Sequence, residues 1–291
     1  GYAWYKNGLI PEQPGLKDDF LPDMVKIGHT KGIKVFGYFC VGANTKWGLD
    51  HPDMSYGTPS APHIPLTVQY LDYLCASIKD AIIKTGIDGV MLDWVWTPSG
   101  EKEPYKAMRW LPCEQLMYNE LFGQPFPGKE AINAYQEGQF GARSIARCWS
   151  RIYEVVKKTK PSCIIWITCN NVTSKGVAAS EMFRQADWLM NEAGDRASTS
   201  AMKNMVGKHT KLITCLAEWN GQNPDDIVPA AIRDNIALYG FTKPIVGFAM
   251  PPVSMYLSHD INSFRKDSRN IATLARAFNG LPLNSIRKAG H

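Results

Sequence analysis

The chain has 291 residues, 45% of them hydrophobic and 20% charged, with a formal net charge of +5 and a pI near 8.7. That is ample for one large core. There is no Lys/Arg block of the kind that grips nucleic acid, and no run of about 18 apolar residues that would span a membrane. Nine Trp and twelve Tyr are more telling, because aromatic faces stack on the apolar faces of sugar rings.

Residues 1–16 carry aromatics, Gly and Pro and read as a loop leaving a strand. Residues 17–31 follow as a helix, with Phe20, Met24 and Ile27 on one face. The run from Gly32 to Val41 is a strand, and the loop to about residue 64 is too long for a simple connector. Residues 66–85 place Leu66, Tyr70, Leu71, Leu74, Ile78 and Ile82 at helical spacing. They lead into the stretch around which the chain is organised, Thr85-Gly-Ile-Asp-Gly-Val-Met-Leu-Asp-Trp-Val-Trp96. Gly86 stops the helix, Val90 to Leu92 form a short apolar strand buried on both faces, and Asp93 ends it beside Trp94 and Trp96.

A second excursion runs from Pro98 to about Gly128 and holds Arg109, Trp110 and a Pro-Phe-Pro turn. Then come a helix over about 137–158, a strand over 162–168, a short helix near 177–184 and a strand over 187–190. Helix 198–206, strand 211–217, helix 224–238, strand 244–249 and a last helix at about 261–278 complete the series. Strands alternating with helices mean a parallel sheet with right-handed crossovers. Neither GxGxxG nor GxxxxGK[ST] occurs, so the nucleotide-binding doubly wound folds lose support. Polar groups sit at the ends of many strands rather than at one switch point, which favours a (β/α)8 barrel. With six strands visible, the first two are expected to precede residue 1. The reading is thus a single barrel domain over 1–291, a fragment of a longer chain.

The seven cysteines show no CxxC pair and their odd count argues against a full disulfide framework. Cys40, Cys163, Cys169 and Cys215 fall in expected strands and read as small buried hydrophobes. No metal or organic cofactor is implied.

The strand ends carry Asn44 and Trp47, then Asp93 with Trp94 and Trp96, then Asn170 and Asn171. Glu192 and Asp195 follow, then Glu218 with Trp219 and Asn220. Two carboxylates facing one pocket, ringed by aromatics and amides, are the equipment for cutting a glycosidic bond: one attacks or stabilises the anomeric carbon, the other protonates the leaving oxygen. Asp93 is the candidate nucleophile, though an Asp after a strand also caps helices and closes turns. Glu192 is the first candidate acid/base and Glu218 the second. Against Glu192, Asn191-Glu-Ala-Gly-Asp195 also reads as a helix start with an acid on the orphan amides; against Glu218 stands a hydrogen-bonding role. Asn44, Asn170, Asn171 and Asn220 have the donor and acceptor to bind sugar hydroxyls, or serve as ordinary turn residues. His51 and His259 are loop histidines that contact substrate or solvent, and Arg109 beside Trp110 has the chemistry to clamp a sulfate or carboxylate.

The segment from Asp18 to Asp93 resembles the α-L-fucosidase family of glycoside hydrolases. The resemblance lies in the helix before Lys31-Gly-Ile-Lys-Val-Phe-Gly-Tyr-Phe39, the loop with Trp47 and His51-Pro-Asp53, and the strand ending in Asp93. It implies a retaining mechanism with Asp93 as nucleophile, while leaving the acid/base open. In outline the chain is also similar to fucanases that cut sulfated fucans and to α-galactosidase barrels. The fucosidase pattern has paired histidines at the end of strand two, and this chain is expected to start at or after that point. Starch-type barrels share the Gly-Ile-Asp-Gly run but carry an acid Glu on strand five, where this chain has Cys169-Asn-Asn171.

The expectation is a secreted or periplasmic glycoside hydrolase on an α-linked sugar, fucoside or sulfated fucan first, with its export signal outside this sequence. A retaining pair of carboxyl groups would stand about 5–5.5 Å apart. The competitors are a catalytically silent carbohydrate-binding barrel and a metal-dependent hydrolase using Asp93, His51 and Glu218. The absence of HxH or HExxH spacing argues against the latter.

Overall fold

A computed structural model of the chain describes residues 1–57, 62–98, 103–169, 177, 180–217 and 222–241. Its fold is α/β, of the (β/α)8-barrel class: six described strands, parallel wherever they pair, alternating with helices. The chain divides into two compact units, Gly1–Ile167 with Thr173–Ala186, and Thr168–Val172 with Asp187–His291.

In the first unit, helix α1 (Phe20–Thr30) precedes strand β1 (Phe36–Cys40), and the short α2 (Thr45–Asp50) and long α3 (Val68–Thr85) lead to β2 (Gly89–Asp93). Then come α4 (Tyr105–Met108), α5 (Pro112–Phe122), α6 (Ala134–Thr159), β3 (Ile164–Cys169) and α7 (Met182–Gln185). Strand β2 lies between β1 and β3, with Cys40 opposite Asp93 and Met91 opposite both Tyr38 and Trp166. The central stretch folds as its sequence predicts. Gly86 takes the left-handed conformation at φ 72° and its N–H closes α3 on the Ile82 carbonyl at 3.1 Å. Val90 and Leu92 are wholly buried with Tyr70, Leu71 and Ile78 of α3. Each such large apolar side chain stabilises the fold by roughly 1.5–3 kcal/mol. Helix α6 starts at a reciprocal cap, Asn133 with Gln136, and buries Phe140, Ile145, Cys148, Trp149 and Ile152.

Three expectations change here. Helix α1 forms, but Phe20, Met24 and Ile27 are 51, 42 and 59% exposed, and its buried positions are Val25 and Gly28. The excursion after Trp96 is not all loop. Pro112 suits a first helical turn, and the Glu114 carboxylate accepts the free N–H groups of Trp110 (3.0 Å) and Leu111 (2.9 Å), so α5 forms. The third change lies in the second unit.

That unit holds β4 (Trp188–Asn191), α8 (Arg196–Lys203), β5 (Lys211–Ala217), α9 (Pro224–Arg233) and β6 (Ala237–Phe241). Strand β5 pairs with β4 from Trp188↔Lys211 and with β6 from Ile213↔Ala237. Helix α9 stops at Arg233, short of the expected 238, because Asn235 turns left-handed at φ 53° and Ile236 N–H bonds back to the Ala231 carbonyl at 2.9 Å. Residues 237–241 are thereby freed to form β6. The expected strand 244–249 and helix 261–278 lie outside the described residues. None of the seven cysteines is in a disulfide.

Candidate active site

Asp93 is the last residue of β2 and is half-buried. It caps no helix, since residues 94–98 after it are not helical, and the next described helix, α4, begins at Tyr105. Among the described residues, each carboxylate oxygen takes one donor: the Tyr38 hydroxyl reaches Oδ2 at 2.6 Å and the Trp94 N–H reaches Oδ1 at 2.7 Å. Burial pushes the carboxyl above the usual carboxylate range, and the two donors pull it back without cancelling the rise. Tyr38 also touches the Cys40 sulfur at 3.3 Å. Burial, with the Asp93 charge adding to it, lifts the Cys40 thiol to about 11 despite the Tyr38 hydrogen bond, so it stays protonated.

The Trp94 N–H is aimed by strained backbone. Trp94 sits at φ 57°, which for a bulky residue costs about 1–3 kcal/mol. Its carbonyl accepts the Gly42 N–H at 3.0 Å. A Cβ on Gly42 would lie 2.6 Å from that carbonyl oxygen and 2.8 Å from His63 Cε1, so this approach needs glycine.

The rings of Trp94 and Trp96 lie 5.4 Å apart at 30°. Behind Trp96 stands His63, 4.9 Å away and wholly buried, with Tyr56 and Tyr105 around it. Neither His63 nitrogen has a hydrogen-bond partner. Burial, and then the Arg109 charge, push its pKa down to about 3, so the ring is neutral. Sequence reading missed both Tyr38 and His63.

Arg109 and Trp110 are core residues, at 4 and 7% exposure. The Arg109 guanidinium pairs with Glu114, bonds Glu137 at 3.0 Å and lies 4.3 Å over the Trp110 ring. The Glu114 carboxylate also accepts the Tyr56 hydroxyl at 2.9 Å. Its Nη2 has no partner among the described residues, but the whole side chain is buried in the core beside Glu114 and Glu137 and is not an exposed cation, which corrects the clamp expectation. Asn44, Trp47 and His51 are likewise given structural work. Asn44 caps α2 by accepting the Trp47 N–H at 3.0 Å, and the buried Trp47 stacks on His51 with centroids 3.7 Å apart. His51 Nδ1 lies 3.0 Å from the Trp47 carbonyl. Among the described residues, no three His, Cys, Asp or Glu side chains are placed to hold a metal ion.

In the second unit, β4 ends at Asn191, and Glu192 follows it in the turn. The cap of α8 is Asp195, which accepts the Ser198 N–H at 2.8 Å. The hydrogen bond from the Ser198 hydroxyl is the largest of the effects that hold its carboxyl below the ordinary range. The buried Asn191 amide ties this turn together through Ser198 and Thr199 at 2.8 Å each. The helix-start role is therefore filled by Asp195, and Glu192 is not the cap. Its backbone N–H bonds the Cys169 carbonyl at 3.1 Å. Burial, with the Glu192 charge adding to it, raises the Cys215 thiol to about 12. A cavity of about 410 Å³, lined by Arg196, Thr199, Lys203 and Ile227 among others, includes neither Asp93 nor Glu192. Asn170, Asn171, Glu218, Trp219, Asn220 and His259 lie outside the described residues.

No protein-family model matches the sequence, and no curated protein matches it. Solved structures do match, with the fold as the common ground. The α-L-fucosidase isoenzyme 2 from Paenibacillus thiaminolyticus is 16% identical with a TM-score of 0.57, covering 92% of this chain and 43% of its own. An α-galactosidase from Lactobacillus brevis is 12% identical at TM-score 0.51, covering 92% of this chain and 33% of its own. The PgaB (BpsB) glycoside hydrolase domain from Bordetella bronchiseptica is 11% identical at TM-score 0.52, with 89 and 80% covered. The chain thus spans less than half the length of the first two, and at these identities the likeness is one of (β/α)8-barrel fold.

Proposed function

We propose that this chain is the catalytic barrel of a retaining glycoside hydrolase acting on an α-linked sugar, with α-L-fucosides and sulfated fucans first among substrates. The observation that carries the proposal is Asp93. It is a half-buried carboxylate at the C-terminal end of a buried parallel strand, free of any helix-capping duty, with one donor on each oxygen and two tryptophans following it. Asp93 attacks the anomeric carbon and forms a glycosyl-enzyme. A second carboxyl group, Glu192 or Glu218, protonates the leaving oxygen and then activates the water that releases the sugar. Glu192 is favoured because Asp195 relieves it of the cap. The Trp94 and Trp96 rings offer apolar faces to a pyranose. Asn170, Asn171, Trp219 and Asn220 stay candidates for the sugar hydroxyls. Asn44, Trp47, His51, Arg109 and Trp110 are left out, each having other work.

The fucoside preference rests on the sequence resemblance over Asp18 to Asp93, and the fold likeness to an α-L-fucosidase agrees with it. An α-galactoside is the alternative. A secreted or periplasmic setting suits a polysaccharide substrate, and among the described residues no helix is long and apolar enough to cross a membrane.

The test is release of reducing ends from fucans and of phenol from aryl α-L-fucosides and α-galactosides, wild type against Asp93→Asn. The expected loss in kcat is on the order of 10³-fold or more on whichever substrate the wild type cleaves. Full activity in the variant would remove Asp93 from the mechanism. Wild-type binding without turnover would replace the proposal with a carbohydrate-binding barrel.

A further inference from the structure

We infer that Tyr38 is a positioning residue for Asp93: its hydroxyl and the Trp94 N–H hold one carboxylate oxygen each, fixing the plane of the group and keeping it ionised. The inference rests on reading Asp93 as the attacking carboxylate.

The geometry comes from strand register. Cys40 is the register partner of Asp93, and Tyr38 lies two residues earlier on the same face, opposite Met91. A phenol is long enough to pass its neighbour and reach Oδ2, as the 2.6 Å contact shows. The second donor is supplied by the backbone, through a Trp94 conformation that the close approach of Gly42 permits. A carboxylate has about four lone-pair positions, so two donors orient it and leave others for attack. Both donors favour the charged form, against the burial that opposes it. The titratable side chains facing Asp93 from β1 are Tyr38 and Cys40, and the Cys40 thiol stays neutral. Among the described residues, Tyr38 is the side chain that donates a hydrogen bond to Asp93.

The test needs no substrate. In protein labelled with 13Cγ-aspartate, the Asp93 signal is assigned by its loss in Asp93→Asn, and its titration midpoint is followed by NMR. Tyr38→Phe should raise that midpoint by about one pH unit. Trp94→Gly, which keeps the N–H and accepts a positive φ, should move it by only a few tenths. A midpoint unmoved by Tyr38→Phe overturns the inference. If that variant does not fold, 3-fluorotyrosine placed at position 38 keeps the shape and strengthens the donor; the midpoint should then fall, and no change overturns the inference equally. With an aryl glycoside that the wild type cleaves, the acid limb of kcat/KM should follow the same shift in Tyr38→Phe while KM stays put. Full activity in Asp93→Asn would instead overturn the reading of Asp93 and leave the clamp a structural fact, so the two failures are told apart.

Discussion

The ends of β2 and β4 each carry an acid, yet the two turns use their acids differently. Directly after β2, over residues 94–98, there is no helix, and the strand-end carboxylate is held by a tyrosine and a strained peptide. After β4 the chain enters α8 at once, and the capping work goes to Asp195 while Asn191 locks the turn from inside. Glu192, between them, has neither job. At neither strand end does the proposed catalytic acid cap a helix, and each turn arranges this by its own means.

The largest effects should come from the two proposed catalytic acids. Asp93→Asn should cost on the order of 10³-fold or more in kcat, and Glu192→Gln roughly 10²–10⁴-fold if it is the acid/base. Neither should lower the unfolding midpoint in urea by much, because neither carboxylate caps a helix. If Glu192→Gln is fully active and Glu218→Gln is not, the comparison holds for Asp93 alone. Next in size is the buried pair behind the aromatic cluster. Arg109→Ala strands Glu114 without its charge partner and should destabilise the fold by about 3–5 kcal/mol in urea titrations. A mere surface clamp would show almost no loss.

His63 gives a pH-dependent version of the same contrast. Its folded pKa is pushed down to about 3, so the native state refuses a proton that the unfolded chain takes near pH 6.5. The unfolded state therefore binds more protons in that window. Stability rises with pH between about 3 and 6.5, by at most about 1.4 kcal/mol per pH unit, and is lost on acidification. In His63→Phe the wild-type slope between pH 6 and 4 should flatten. An unchanged slope would show that the ring finds a partner in solution.

Much of this was legible in the sequence. The helix-stop glycine, the apolar run and the 3.6 period of α3 and α6 are local signals, and five of the strands formed where they were expected. What was not legible depends on register or on competition between neighbours. Tyr38 meets Asp93 only because β1 and β2 pair as they do, which no spacing reveals. His63 lies in a loop and reaches Trp96 through tertiary packing. The end of α9 turned on Asn235 taking a left-handed conformation within a run that otherwise reads as helix. Arg109 looked like a free cation until Glu114, five residues on, was seen to claim it.

The smallest effect sharpens the contrast between the two turns most directly. Asp195→Ala removes the oxygen that accepts the Ser198 N–H and should cost about 1 kcal/mol, a typical penalty for losing a helix cap. Asp195→Asn keeps an acceptor there and should cost only a few tenths. Hydrolysis should be untouched in both, since the proposal gives this carboxylate no contact with the sugar. The cost should also shrink as the pH falls, because Asp195 is held ionised below the ordinary range chiefly by the Ser198 hydroxyl. Stability from that source is present above the unfolded pKa near 4 and is lost as pH falls through the lower folded value. A loss of activity in Asp195→Ala larger than the loss of stability explains would mean that the cap and the chemistry at β4 are one group's work. Asp195 would then take the place of Glu192.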